Sequence, residues 1–212
     1  MNIDEGAPDQ GPQARVYGRV VPRVERVFDD PRGDMCVGFF QDMWNEGRVT
    51  FPLGARVLEV GCAEADWLTP MKTARPDLHL TGMDQRPHRP RRGADVLVQG
   101  DLLDAMTFPP SSFNGIVAVS VIEHVGIGRY GDLVDADGDT HAMAHLKQWL
   151  RPDGVLYLDV PFRPVGPSTP FRQYNEADLQ RRVIAGWREV DRQHFDSDHP
   201  DGPYVALVLT PL

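Results

Sequence analysis

Cysteine is nearly absent: Cys36 and Cys62 are the only two in 212 residues. Cys62 falls in a tight turn, so a structural disulfide is not expected and a reducing compartment fits. Long apolar runs are missing too. None approaches the ~20 residues that a membrane-spanning helix needs. The opening Met1-Asn2-Ile3-Asp4-Glu5 has neither the basic nor the apolar region of a secretory signal. Both absences read as a cytoplasmic protein without a membrane partner. Positive charge is in deficit, with 22 Lys and Arg against 31 Asp and Glu and a net charge of -9, which argues against a broad nucleic-acid surface. No internal repeat is present. The remainder, 41% hydrophobic and 25% charged, is that of an ordinary globular domain. Its length suffices to bury about 70% of the unfolded surface.

The chain is organised around Arg56-Val57-Leu58-Glu59-Val60-Gly61-Cys62-Ala63-Glu64-Ala65. Val57, Leu58 and Val60 form a short apolar run bounded by turn residues, the mark of a buried parallel strand. A tight turn of small residues follows, then an apolar helical segment around Trp67, Leu68 and Met71. In open α/β sheets, ligands bind outside the carboxyl ends of the strands, where such a turn lets a cofactor approach the backbone. Charge selects the cofactor. Glu59, Glu64 and Asp66 crowd the turn with no Lys or Arg beside them. They would repel the pyrophosphate of a dinucleotide, and Gly61 to Asp66 also fails the Gly-x-Gly-x-x-Gly fingerprint. S-Adenosylmethionine carries an ammonium and a sulfonium instead of phosphate, and an acidic mouth suits both.

Glu59-x-Gly61-x-Ala63-x-Ala65 resembles motif I of the class I S-adenosylmethionine-dependent methyltransferases, usually acidic-x-Gly-x-Gly-x-Gly, with alanine at two of the three glycines. Glu123-His124-Val125 resembles the segment that follows strand four in small-molecule members, and Leu150-Arg151-Pro152-Asp153-Gly154 resembles the turn before strand five. The resemblance implies an α/β fold: a Rossmann-like, seven-stranded, mostly parallel sheet with an antiparallel last strand and helices on both faces. The domain is expected over 51–212, with 1–50 an N-terminal extension whose helices, Met35 to Glu46 among them, cover the sheet. Implied cofactor contacts are Glu59, Gly61, Cys62 and Ala63 in the turn, Asp84 and Gln85 at the ribose, Asp101 and Leu102 at the adenine, and Ser120 after strand four. The implied partner is a small-molecule methyl acceptor of sugar or secondary metabolism, methylated at oxygen. The alanines at 63 and 65 leave a non-catalytic scaffold of the same fold as the alternative.

Asp84 ends the run Leu78 to Met83, and a carboxylate there can accept hydrogen bonds from both ribose hydroxyls. Arg86 to Arg92 holds four arginines and two prolines, which disfavour a full helix and read as solvated surface. Further strands are expected at Asp95–Gln99, Ile116–Ser120 after a turn over Ser111–Gly115, Val155–Val160, Trp187–Phe195 and Tyr204–Thr210. Thr140 is placed to cap a helix running to Leu150, and Asn175 one running through Ala185. His124 is the candidate general base, because it follows strand four at the cofactor mouth and titrates near neutral pH. Gly126 to Asp132 reads as a gating loop in which Arg129 and Tyr130 meet the acceptor, with an Arg129–Asp132 ion pair as the plainer alternative. No metal is expected. Metal-using relatives carry Glu-x-x-Glu-His here, whereas this chain has Ser120 at the first position. His141 and His145, one helical turn apart, and the calcium-loop-like Asp135 to Asp139 do not complete a site.

Overall fold

The computed structural model describes residues 51–63, 68–87, 93–163, 170–195 and 203–212. The expected N-terminal cover within 1–50, the acidic Glu64 and Asp66, five residues of the arginine-rich run and most of the proline-rich loop after strand five lie outside the described residues.

β1 (Arg56–Val60) is buried along four of its five positions, as its uninterrupted apolar pattern requires. α1 (Leu68–Ala74) leads into β2 (His79–Asp84), and β3 (Val96–Gln99) and β4 (Phe113–Val119) follow. A short 3-10 turn at Ile122–His124 precedes α2 (Gly138–Trp149) and the long β5 (Leu150–Pro161). α3 begins as one α-turn at Glu176–Asp178 and widens to a π-helix at Leu179–Ile184. β6 (Trp187–Phe195) and β7 (Tyr204–Pro211) complete a seven-stranded sheet in the order β3-β2-β1-β4-β5-β7-β6. β1 to β5 run parallel, and β7 is antiparallel to both β5 and β6. The sheet is the expected one.

The period of two along β1 divides the core. Leu58 and Val60 face a layer made with Met143, Leu146 and Trp149 of α2 and Leu179 and Val183 of the π-helix. Val57 faces the other layer, with Leu68 and Met71 of α1 and Phe51. Helices therefore cover both faces. Among the described residues no helix is long and apolar enough to cross a membrane.

Several boundaries differ from those read off the sequence. β5 starts at Leu150 rather than Val155, so the expected turn Leu150–Gly154 falls within the strand, where Leu150 pairs with Phe113. β4 starts at Phe113 rather than Ile116, because Phe113 pairs with Leu150 and its ring meets that of Phe108 edge-on at 5.0 Å. Gly115 belongs to the strand for lack of a side chain: a Cβ there would run into the Phe51 ring. α2 starts at Gly138, two residues before Thr140, which is exposed and caps nothing. The Asp135 backbone and side chain instead organise the entry, accepting from Gly138 N at 3.1 Å and Asp137 N at 2.9 Å. The helix beginning after Asn175 is capped as expected, Asn175 accepting from Asp178 N at 2.9 Å, but its second half takes the wider π winding.

Candidate functional site

The chain builds β1, β2 and β3 outward on one side, then returns to place β4 on the other side of β1. Helices from opposite faces diverge between β1 and β4, which opens a crevice at their carboxyl ends. The expected residues gather there.

Beyond Val60 the chain turns at Gly61, whose φ of 79° lies where glycine alone is unstrained. Gly61 N and Cys62 N both donate to the Met83 carbonyl, at 2.8 and 3.2 Å, and Ala63 N donates to Asp84 Oδ2 at 3.0 Å. The turn is thus fastened to the end of β2. On its other side it touches the exit of β4, since a Cβ on Gly61 would lie 2.5 Å from Val121 Cγ2. Glu59 and Cys62 are buried at the same turn.

Asp84 is buried and fully engaged. Beside Ala63 N it accepts Arg86 N and Nε on Oδ1, at 2.9 and 3.1 Å, and Arg86 Nη2 on Oδ2 at 3.3 Å. Arg86 is therefore no solvated surface residue, as its sequence context suggested, but the partner of the carboxylate expected to hold a ribose. Gln85 is half-buried, and its carbonyl accepts from the Gln99 amide. Asp101 lies just beyond β3 and folds back on its own loop, Oδ1 accepting Leu103 N at 2.8 Å. The carbonyl of buried Leu102 meets His145 Nδ1 at 2.6 Å, while His141 Nδ1 meets Asp135 Oδ2 at 2.7 Å. The two histidines thus serve separate partners.

After β4, Ser120 takes the left-handed conformation with φ 54°, which costs a non-glycine residue on the order of 1 kcal/mol or more. Two buried carboxylates hold it there: Ser120 N donates to Asp159 Oδ1 at 2.5 Å and Ser120 Oγ donates to Glu123 Oε1 at 2.8 Å. His124 follows within the same short turn, its N donating to the Val121 carbonyl at 3.0 Å. The imidazole is half-buried, with Nε2 3.9 Å from Glu123 Oε1 and its ring edge-on to Tyr130 at 5.7 Å and Phe171 at 5.8 Å. Tyr130 also carries two guanidiniums, Arg86 at 4.6 Å and Arg129 at 5.4 Å from its centroid.

The loop bearing Arg129 and Tyr130 is held from inside. Asp132 is buried and accepts Gly128 N and Tyr130 N, each at 3.2 Å, so it does not pair with Arg129. Burial pushes its carboxyl up, but those backbone donors outweigh burial and hold it below the usual carboxylate range. Below the loop, Arg172 donates to the carbonyls of Val125 and Asp135, and Arg182 to that of Ala136. Both guanidiniums converge on Asp139, which is fully buried and also accepts the Tyr174 hydroxyl at 2.9 Å. Burial, and then the negative Asp139, push the Tyr174 hydroxyl well above its ordinary pKa.

Sequence reasoning missed Asp159 and the site role of Arg86, and weighed Glu123 only as a metal ligand. Asp159 had a signal: it is the one carboxylate in the apolar run Val155 to Val160. The pairing of Arg86 with Asp84 is local, two residues apart, but its reach to Tyr130 had no signal, because Tyr130 is remote in sequence.

No protein of curated function matches the sequence. Among solved structures, the chain resembles the Burkholderia thailandensis 1,6-didemethyltoxoflavin-N1-methyltransferase, bound to 1,6-didemethyltoxoflavin and S-adenosylhomocysteine, with TM-score 0.61 and 17% identity over 86% of this chain and 79% of that one. It also resembles the Bradyrhizobium japonicum N-methyltransferase NodS in complex with S-adenosylhomocysteine, with TM-score 0.55 and 17% identity over 93% and 95% of the two chains. The [4+2]-cyclase SpnF aligns with TM-score 0.57 and 13% identity over 94% and 90%. At these identities the likeness is one of fold. A family model described as "Methyltransferase domain" matches residues 18–201, most of the sequence, and with the glycine turn and the crevice between β1 and β4 it establishes that this chain belongs to the methyltransferase domain family.

Proposed function

We propose that this chain is a cytoplasmic S-adenosylmethionine-dependent methyltransferase of the small-molecule branch with Glu-His-Val after β4, and that it methylates its acceptor at oxygen. Residues 51–212 form the catalytic domain, and residues 1–50 are an N-terminal extension to it. The turn and its surroundings fit the cofactor. Gly61 adopts a conformation that disfavours any side chain, and the carboxylates of Glu59 and Asp84 suit a cationic ligand with ribose hydroxyls. Glu59, Gly61, Cys62 and Ala63 would line the amino-acid end, Asp84 and Gln85 the ribose, and Asp101 and Leu102 the adenine, with Ser120 closing the side toward β4. When bound, S-adenosylmethionine supplies an electrophilic methyl group and needs no phosphate site.

The observation that carries this reading is the placement of His124. It stands one turn beyond Val121, which touches the Gly61 turn, with the Glu123 carboxylate 3.9 Å from its Nε2. A neutral imidazole can take the proton of an acceptor hydroxyl. The adjacent carboxylate favours the imidazolium so formed. Tyr130 and Phe171 fix the ring from two sides, and alignment of acceptor and methyl group supplies much of the remaining rate.

With an acceptor in hand, His124→Gln is expected to lower kcat by about 10²–10⁴-fold. Calorimetric affinity for S-adenosylhomocysteine should change less than about twofold. Unaltered turnover would remove His124 from the chemistry. One observation favours a second reading, a non-catalytic binding protein: Asp84 is already satisfied by Ala63 N and Arg86. Failure of the wild type to bind S-adenosylhomocysteine would select it.

A further inference from the structure

We infer that the methyl acceptor carries an oxyanion group, a carboxylate or phosphate, received by Arg129 and Arg86 over the Tyr130 ring. The inference rests on the methyltransferase reading above and names the class of its acceptor.

Two positive side chains share one aromatic ring at the candidate base. Arg86 and Arg129 lie 4.6 and 5.4 Å from the Tyr130 centroid, whose other neighbour is the His124 ring. Like charges repel unless something negative offsets them, and the chain as a whole holds 31 acidic residues to 22 basic ones. Arg129 does not use that surplus. Its nearest acid in sequence, Asp132, is buried and occupied by Gly128 N and Tyr130 N. Among the described residues Arg129 makes no ion pair, although its backbone is held in place by that Asp132 turn. A guanidinium presents a planar fork of donors that matches an oxyanion, and it can stack on an aromatic face while doing so.

Arg86 adds a condition. Its Nε and Nη2 occupy both Asp84 oxygens, at 3.1 and 3.3 Å. Ala63 N and Arg86 N occupy the same oxygens, so ribose hydroxyls donating there compete with the guanidinium for the remaining acceptor sites. Cofactor binding therefore frees Arg86 from Asp84 while Tyr130 keeps it beside Arg129. The oxyanion site is half built in the free protein and complete in the cofactor complex. Binding is ordered, cofactor first, and acids bind better once it is in place.

The test is a ligand-observed NMR titration of the full chain with 4-hydroxybenzoate and its neutral methyl ester, and with phenyl phosphate and phenol, each with and without saturating S-adenosylhomocysteine. With S-adenosylhomocysteine, at least one anion is expected to bind about tenfold or more tighter than its neutral partner, and the better of the two tells carboxylate from phosphate. Removing S-adenosylhomocysteine should cut that preference at least about threefold. Arg129→Gln and Arg86→Gln should each abolish most of it, with melting temperature and calorimetric S-adenosylhomocysteine affinity unchanged for Arg129→Gln. Equal or better binding of the neutral compounds, anion preference that survives both substitutions, or no anion binding at millimolar concentration would overturn the inference. If the wild type does not bind S-adenosylhomocysteine, the methyltransferase reading falls instead. The Arg129→Gln comparison without it then still decides whether Arg129 receives an anion.

Discussion

Asp139→Asn is expected to be among the most damaging single substitutions in the described fold, although Asp139 touches neither the Gly61 turn nor His124. Asp139 is fully buried and accepts Arg182 Nη2 on Oδ1 at 2.5 Å and Arg182 Nε and the Tyr174 hydroxyl on Oδ2 at 2.8 and 2.9 Å, with Arg172 Nε 3.8 Å away. The amide keeps one acceptor but removes the charge that both guanidiniums face, and it turns an NH₂ toward their donors. Breaking a buried ion pair from one side costs about 3–5 kcal/mol. At about 2–4 °C per kcal/mol for a chain of this size, the melting temperature should fall by roughly 6–20 °C. Urea unfolding should show a lower midpoint with unchanged slope. The double variant Asp139→Leu with Arg182→Met removes both sides of the pair and should recover part of the loss, giving a coupling energy above about 1 kcal/mol. A loss below about 1 kcal/mol for Asp139→Asn would refute the reasoning, since the carbonyls of Val125, Asp135 and Ala136 would then be held by something else.

Gly61→Val should cut S-adenosylhomocysteine affinity by at least about tenfold, because the φ of 79° disfavours a β-branched residue and the Cβ lies 2.5 Å from Val121 Cγ2; calorimetry showing wild-type affinity would move the cofactor elsewhere. Hydrogen bonding from Arg75 lowers the Asp77 carboxyl pKa from its ordinary 3.8 to about 2. Because the folded value is the lower one, the pair contributes fully above pH ~4 and its contribution is lost as pH falls from ~4 to ~2, a change of about 1–2 kcal/mol after solvent screening. Asp77→Asn should flatten that part of the stability profile, and an unaltered profile would show that the pair contributes nothing. Methyl transfer is expected to survive exhaustive EDTA treatment, since Ser120 stands where metal-using relatives carry Glu; loss restored by magnesium or zinc would overturn that.

The sheet was legible because each strand carries its own local pattern. Val57-Leu58-x-Val60 and Ile116 to Val119 are apolar runs that only burial on both faces explains, and β6 and β7 stand at the ends of the expected hairpin. Boundaries failed where a distant residue decides them. Phe113 enters β4 because Leu150 pairs with it, and Gly138 opens α2 because Asp135 organises the preceding turn. The candidate site was legible to the same degree. Gly61, Asp84 and His124 could be placed by their position after a strand. The environment of each could not, because Arg86 reaches Tyr130 and Ser120 reaches Asp159 across gaps that no local period records.

The position of β7 bears on how the domain is assembled. β6 is made before β7, yet its only strand neighbour in the sheet is β7, which lies between it and β5. β6 must therefore wait, with Trp187 uncovered, until Tyr204 to Pro211 slides into the middle of the sheet. Residues Tyr204 to Leu209 are all buried, so this late segment is core rather than trim. A chain interrupted before Tyr204 would lose an interior strand and expose two raw edges, at β5 and β6, each able to recruit another unfinished copy. Nonsense truncations near the end of this sequence should thus yield aggregates, whereas loss of the other border strand, the four-residue β3, uncovers a single short edge.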